Sequence, residues 1–464
     1  MHAAAVQTYN RLVERDPASA VEQEQWLRDE FTRAGITFAG APMRSFLRPQ
    51  LLGRAEWERL RRASARLLEL AARVARAAFA GDAHRLCDFL GLPPAQAEWV
   101  CLDPGPPDVV LSRLDAFLTP GGGPRFLEIN SDAPAGFGYG DRMAEVFARL
   151  PVFRAFARDH AVTAVPSTPA LIDALLASWR ESGGSGTPAV AIVDWSEVKT
   201  RADQELLRES FAARDVPCVL ADPREFQLLS GRLHAQGRTI DVVYRRALLG
   251  ELVERQAEVR DLLTAYRDRR VLFVNSLRCA LSEDKAFLGL LTGDDFETLL
   301  DADERAFVAE VLPWTRRVSE GFTMRAGARI DLVPHVVGRR QELVLKPAHG
   351  YGGQSVLIGA ETEPAVWERA VRSALGAPWV AQERVPPSEE LFPVFEDGGL
   401  SFELLKLNSN PFYAAGRHAG AVARASRSAV VNVSAGGGSV PMFLVDDDNL
   451  TGASFWGGAY AEFC

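Results

Sequence analysis

Lysine is almost missing from this chain. Its 464 residues include 52 Lys and Arg, of which four are lysines (Lys199, Lys285, Lys346, Lys406) and 48 arginines. Arginine evidently serves wherever a surface cation suffices. A lysine kept against that bias marks a place where a compact ammonium is wanted and a planar guanidinium would not fit. Drift is the plain alternative for any one of them. Basic tracts are lacking too: the net charge is −9 with both signs spread along the chain, so no nucleic-acid partner is expected. A polyanion such as ATP would need a local positive site. No apolar run reaches the ~18 residues that cross a bilayer. The N-terminus, MHAAAVQTYNRLVERDPASA, has no basic start followed by an apolar stretch, which argues against a secretory signal and a membrane partner. Cys87, Cys101, Cys218, Cys279 and Cys464 are scattered without metal-type spacing and suit a reducing cytoplasm.

Familiar chemical signatures are absent as well. There is no G-x-G-x-x-G after the first α/β strand and no G-x-x-x-x-G-K-[ST], so neither a dinucleotide site nor a P-loop is supported. The seven histidines form no H-E-x-x-H, and no G-x-S-x-G occurs, which disfavours a zinc hydrolase or a serine hydrolase.

What is present divides the chain into several lobes, as its length requires. Residues 1–95 read as a helical cap, with apolar residues at three- and four-residue spacing. Residues 96–165 hold two strands around TPGGGP, followed by helical sequence. Residues 166–188, including ESGGSGTP, read as linker. Residues 185–275 alternate strand and helix, with AVAIVDW, PCVLAD, IDVVYRR and VLFVNS as strands, and suggest a partly parallel sheet. Arg245 or Arg246 could meet a carboxylate there. Residues 276–395 carry a helix beginning near Ser282, the strand ELVLKPA, a Gly-rich loop, a helix near 363–374 and the strand WVAQERV. Residues 396–464 read as strands with Gly-rich connections.

If the turn 119–124 is symmetric about Gly121–Gly122, Asp115 faces Glu128 and Arg113 faces Asn130. Residues two apart share a face of a strand with their opposed partners. Two opposed carboxylates repel, and a hard cation reverses the sign of that interaction. Mg²⁺ takes oxygen ligands and usually one or two carboxylates, which Asp115, Glu128 and the Asn130 amide oxygen would satisfy. Arg113 could hold a phosphate or a developing oxyanion beside it. A solvated hairpin face is the ordinary alternative.

Lys346 ends a strand and precedes HGYGGQS, where Gly350, Gly352 and Gly353 allow backbone N–H groups close to a phosphate. Lys285 lies near a helix start in LSEDKAFLGLL. Gln382 and Glu383, where an apolar strand turns polar, could present backbone to an adenine edge.

Together these stretches resemble the circularly permuted ATP-grasp family, which includes the synthetase domain of glutathionylspermidine synthase. The resemblance rests on RLD (113–115) with EINSD (128–132), SEDKAFLGLL (282–291), LVLKPAHGYGGQSV (343–356) and WVAQERV (379–385), over roughly residues 100–440. The acidic elements precede the lysine elements, which is the permuted order. The implied fold is a mixed α/β protein: a permuted ATP-grasp core with a helical N-terminal cap and an additional α/β lobe. The 96–165 hairpin and the 396–464 strands would form the core, with 276–395 as the nucleotide-binding lid lobe. The implied activity is ATP- and Mg²⁺-dependent joining of a small-molecule carboxylate to an amine through an acyl phosphate. By resemblance Asp115, Glu128 and Asn130 would bind Mg²⁺, and Arg113 and Arg424 would face the reacting group. Lys285, Lys346, His349, Gly350, Gly352, Gly353, Gln354, Ser355, Gln382, Glu383 and Val385 would contact ATP. A kinase on the same scaffold and a non-catalytic nucleotide-binding module are the rival readings.

Overall fold

The computed structural model describes residues 2–102, 105, 108–121, 123–350, 355–396, 398–433 and 436–446. Leu111–Leu118, buried along its whole length, and Pro124–Asn130 form an antiparallel hairpin. Arg113 pairs with Asn130 and Asp115 with Glu128. The turn itself departs from the symmetric expectation. Leu118 pairs with Pro124 and Ala116 with Phe126, and a register shift follows at Asp115/Ala116. The shorter turn and this bulge displace the register in opposite senses, so the acidic residues still face each other. Leu127 is the extra residue on its strand, and its carbonyl is free to serve other partners.

The hairpin is one edge of a central sheet. Its order is Gln50–Gly53, Gly438–Val445, Arg417–Ser426, Gly399–Ala414, Leu111–Leu118, Pro124–Asn130. Neighbours run antiparallel except Gln50–Gly53, which lies parallel to Gly438–Val445. The N-terminal stretch is therefore not helical throughout, because Gln50–Gly53 is an entirely buried strand of this sheet. The following helix, Arg54–Ala78, buries Trp57, Leu60, Leu67, Leu70 and Val74 along one stripe, the spacing of an amphipathic helix.

A second sheet holds Leu272–Val274, Val242–Arg245, Val190–Val193 and Cys218–Ala221 in that order, all parallel. A third is antiparallel: Thr315–Arg317, Trp379–Glu383, Leu343–Pro347, Leu357–Ile358.

Two local expectations need correction. Most of the stretch read as linker is the helix Thr168–Glu181, which buries Leu171, Ile172, Ala174, Leu175 and Ser178. Pro169 sits in its first turn, where the missing N–H costs no hydrogen bond. The helix expected from Ser282 is instead three short pieces, Ala280–Glu283, Lys285–Phe287 and Leu288–Thr292. Asp284 breaks it with extended backbone (φ −60°, ψ 125°), and its carboxylate accepts from the Ala286 N–H. The break turns Lys285 inward, leaving it 7% exposed.

Candidate active site

A cavity of about 680 Å³ lies where the three sheets meet. Arg113, Asp115, Glu128, Asn130, Lys285, Lys346, Gly350, Gln382, Glu383, Val385 and Arg424 all line it. The strands deliver these groups from distant parts of the chain. Arg424 stands opposite Asn408 on the neighbouring strand, one strand removed from the hairpin. Its Nη1 reaches across to donate to Asp115 Oδ2 at 3.0 Å. Arg113 Nε donates to Asp115 Oδ1 at 2.9 Å and its Nη1 to the Ala135 carbonyl at 3.1 Å. Asn130 Nδ2 donates to Asp115 Oδ1 at 3.0 Å and to Glu128 Oε1 at 3.5 Å.

Glu128 Oε2 lies 3.3 Å from Lys285 Nζ, which also donates to the Gly350 carbonyl at 2.8 Å. Burial alone would push the Glu128 carboxyl up. Lys285, Lys346 and Arg113 overcome it and hold the group down at about 2. Lys346 is pulled the other way: burial and the Lys285 charge bring its ammonium down to about 8 against the pull of Glu128 and Asp115. Its Nζ donates to the bulge carbonyl of Leu127 at 3.2 Å. Four cations thus converge on two carboxylates, a surplus of positive charge suited to an incoming polyanion.

The donor set fits a hard divalent ion. Asp115 and Glu128 face each other in register, and an amide lies on the same face, an all-oxygen set within the one or two carboxylates that Mg²⁺ usually takes. Among the described residues no group of three or more His, Cys, Asp or Glu could hold a metal, so a soft, nitrogen- or sulfur-rich centre is not assembled there.

Some expected contacts fall differently. Gln382 is 2% exposed, and its Nε2 donates to Thr315 Oγ1 at 2.9 Å and to the Leu127 carbonyl at 3.3 Å. Its side chain ties the third sheet to the hairpin, and Gln382, Glu383 and Val385 all line the cavity. His349 turns towards the buried Asp284, with Nε2 3.1 Å from Oδ2. Ser355 is exposed with φ +60°. Gly352, Gly353 and Gln354 lie outside the described residues.

Other lining residues were missed from sequence. Asn408 belongs to the central sheet and donates to the Ala116 carbonyl. Glu283 accepts the backbone N–H groups of Ser131 and Asp132, and burial together with Asp132 pushes its carboxyl up to about 7. Lys199 also lines the cavity, so three of the four lysines share it. Their scarcity was a usable signal for it. The fourth, Lys406, bonds the Arg427 carbonyl on the surface.

An acidic hairpin that precedes Lys285 and the strand carrying Lys346, with all of them lining one cavity, is the permuted ATP-grasp order. Residues 103–426 match the family model for circularly permuted ATP-grasp type 2, and the chain belongs to that family. Members of ATP-grasp ligase families use ATP. Two Frankia proteins are similar to it. One, from Frankia casuarinae, is named "Putative glutamate--cysteine ligase 2-2" and is 27% identical over 355 residues; the other, numbered 2-3 in the same series, is from Frankia alni and is 25% identical over 360. Each match covers 71% of this chain but 38% of the relative's length. A glutathione synthetase-like effector from Globodera pallida, solved in apo form, shares the fold with a TM-score of 0.60 at 13% identity, over 93% of this chain and 98% of that one. No helix among the described residues is long and apolar enough to cross a membrane.

Proposed function

We propose that the protein is an ATP- and Mg²⁺-dependent ligase joining a carboxylate to an amine, with release of ADP and phosphate. The observation that carries this reading is the convergence of Lys285, Lys346, Arg113 and Arg424 on the opposed pair Asp115 and Glu128. Asp115, Glu128 and Asn130 would hold Mg²⁺. When bound, the ion supplies charge neutralisation for the triphosphate.

In this reading a substrate carboxylate oxygen attacks the γ-phosphorus of ATP. The β,γ-bridging bond breaks, and ADP and an acyl phosphate form. The amine nitrogen then attacks the acyl carbon, phosphate leaves, and the amine loses a proton as the amide forms. Carboxylate is a poor electrophile, and phosphorylation supplies its leaving group. Lys285 and Lys346 would hold the nucleotide phosphates as point charges, while Arg113 and Arg424 stabilise the charge that develops on the transferred group. Lys285 holds the Gly350 carbonyl, which fixes the residue that leads into the glycine-rich segment beside this site.

The test is incubation with Mg-ATP and pooled amino acids, peptides and polyamines, following ADP, phosphate and new masses. A ligase releases one phosphate for each amide mass gained. ADP without free phosphate, with a mass gain of one phosphoryl group, would instead identify a kinase. Glu128→Ala and Lys346→Ala abolish turnover if the site is assigned correctly, and a folded but active variant of either kind refutes the assignment.

A further inference from the structure

Arg245 ends the strand Val242–Arg245 and Arg246 follows it, and the structure separates their roles. Arg245 is 1% exposed, with Nη1 2.6 Å from Asp132 Oδ1 and donating to the Ala247 carbonyl. Its Nε and Nη2 reach the Asn275 and Ser276 carbonyls. It is a structural tie. Arg246 instead lines the large cavity while only 4% exposed. Its Nη1 donates to Asp203 Oδ2 at 3.0 Å, and its Nε has no acceptor among the described residues. Asp203 also accepts the N–H groups of Gly136 and Tyr139. The carboxylate is shared over three donors, and the guanidinium keeps unused donor capacity.

The position of Arg246 in the parallel sheet is informative. The chain leaves Val190–Val193 for Cys218–Ala221 on one side, then returns to Val242–Arg245 on the other. A crevice opens at the carboxyl ends of the two central strands, where open parallel sheets bind ligands. Asp194 follows the first of these strands and Arg246 the second. Asp194 accepts from the Trp195 N–H at 2.9 Å and from the Gln204 amide at 2.6 Å. Glu251 accepts from the Leu248 N–H and the Trp195 indole. Both line the cavity, all four of these donors are neutral, and no ion pair involves either carboxylate among the described residues. A buried guanidinium and two carboxylates that form no direct ion pair therefore line the same cavity.

We infer that this crevice is a binding site for an α-amino acid, with Arg246 taking the carboxylate and Asp194 and Glu251 the ammonium. This rests on the ligase reading, in which the amino acid is one of the two substrates. A dicarboxylate without an amine would satisfy Arg246 alone, and a diamine only the acids. A guanidinium meets a carboxylate through two parallel N–H bonds, and an unmatched charge on either side is penalised by burial.

Saturation-transfer NMR with the twenty L-amino acids, in the presence of Mg²⁺ and a non-hydrolysable ATP analogue, tests the assignment. At least one amino acid binds, and its N-acetyl and methyl ester derivatives, glutarate and cadaverine bind at least about 10-fold more weakly. Arg246→Met and Glu251→Gln each lower amino-acid affinity by a similar factor, Arg246→Lys by less, and all three bind the ATP analogue as wild type does. The inference is overturned if no amino acid binds, if glutarate or cadaverine binds as well, or if Arg246→Met and Glu251→Gln both retain wild-type affinity. Amino-acid binding without release of ADP and phosphate from ATP sinks the ligase reading and leaves the site standing. ADP and phosphate release that depends on no amino acid does the reverse.

Discussion

Asp115 accepts from Arg424 on one carboxylate oxygen and from Arg113 on the other, so two arginines from different strands share one acid. Asp115→Asn leaves both guanidiniums without that counter-charge in a buried place, which costs about 3 kcal/mol. Mg-ATP should raise the melting temperature of the wild type by several degrees and that of Asp115→Asn by clearly less, because the ligand acts only through the folded state. Calorimetric melting with and without Mg-ATP checks this. An equal rise in both proteins would show that Asp115 plays no part in holding the metal-nucleotide complex.

Lys346 carries the clearest pH signature. Its ammonium sits near 8 because burial and Lys285 disfavour the charge. A triphosphate beside it restores the charged form. Nucleotide binding between about pH 8 and 10 therefore takes up protons, measurable by titration calorimetry in buffers of different ionisation enthalpy. Lys346→Met removes the uptake and weakens binding roughly 10- to 100-fold. Uptake that persists in the variant belongs to another group.

The Gln382 side-chain amide is held by its neighbours Thr315 and Leu127. Gln382→Leu should cost about 1–3 kcal/mol, since it strips partners from Thr315 and the Leu127 carbonyl in a dry place. The preference for ATP over GTP should not change, because the side-chain amide is committed to Thr315 and the Leu127 carbonyl. Thermal melting and ADP release compared with GDP release separate the two effects. A changed base preference with unchanged stability would show that the Gln382 side chain reads the base.

His418 governs part of the acid limb of stability. Burial, aided by Arg61 and opposed by Glu58, holds its imidazole down at about 3. The ring packs edge-on against Trp57 with centroids 4.3 Å apart. Its folded value is depressed, so its contribution is whole above the unfolded value of about 6.5. As pH falls from there towards 3, the unfolded chain takes a proton that the fold refuses, and stability drops by about 1.4 kcal/mol per pH unit. Denaturant melts from pH 7 to 4 should show His418→Gln with a shallower decline than wild type. Parallel declines would mean that the imidazole is protonated in the fold.

The metal-type hairpin and the lysines were legible in sequence for different reasons. Asp115 and Glu128 face each other because strand alternation and pairing are local rules. The bulge at Leu127 was not legible, because the turn length and the bulge cancel at the acidic pair and leave the apolar pattern intact. Lys285 and Lys346 stood out through scarcity. The same signal reached Lys199, yet nothing local tied it to the other two. Asp194, Arg246 and Asp203 come together only because the parallel strands cross over, and crossover leaves no periodic trace. The helix Thr168–Glu181 was hidden by the Pro and Ser around it, although Leu171, Ile172 and Leu175 carry helical spacing.

Positional isotope exchange tests the chemistry most directly. ATP carrying ¹⁸O in its β,γ-bridge is incubated with the enzyme, Mg²⁺ and a carboxylate substrate drawn from the amino-acid pool, with no second amine present. Reversible transfer to the carboxylate lets the β-phosphate of bound ADP rotate, so label should move from the bridging to the non-bridging position, and Lys346→Met should abolish the movement. Label that stays in the bridge while ATP is consumed and amide accumulates on adding the amine would contradict an acyl phosphate formed between Asp115, Glu128 and the lysines.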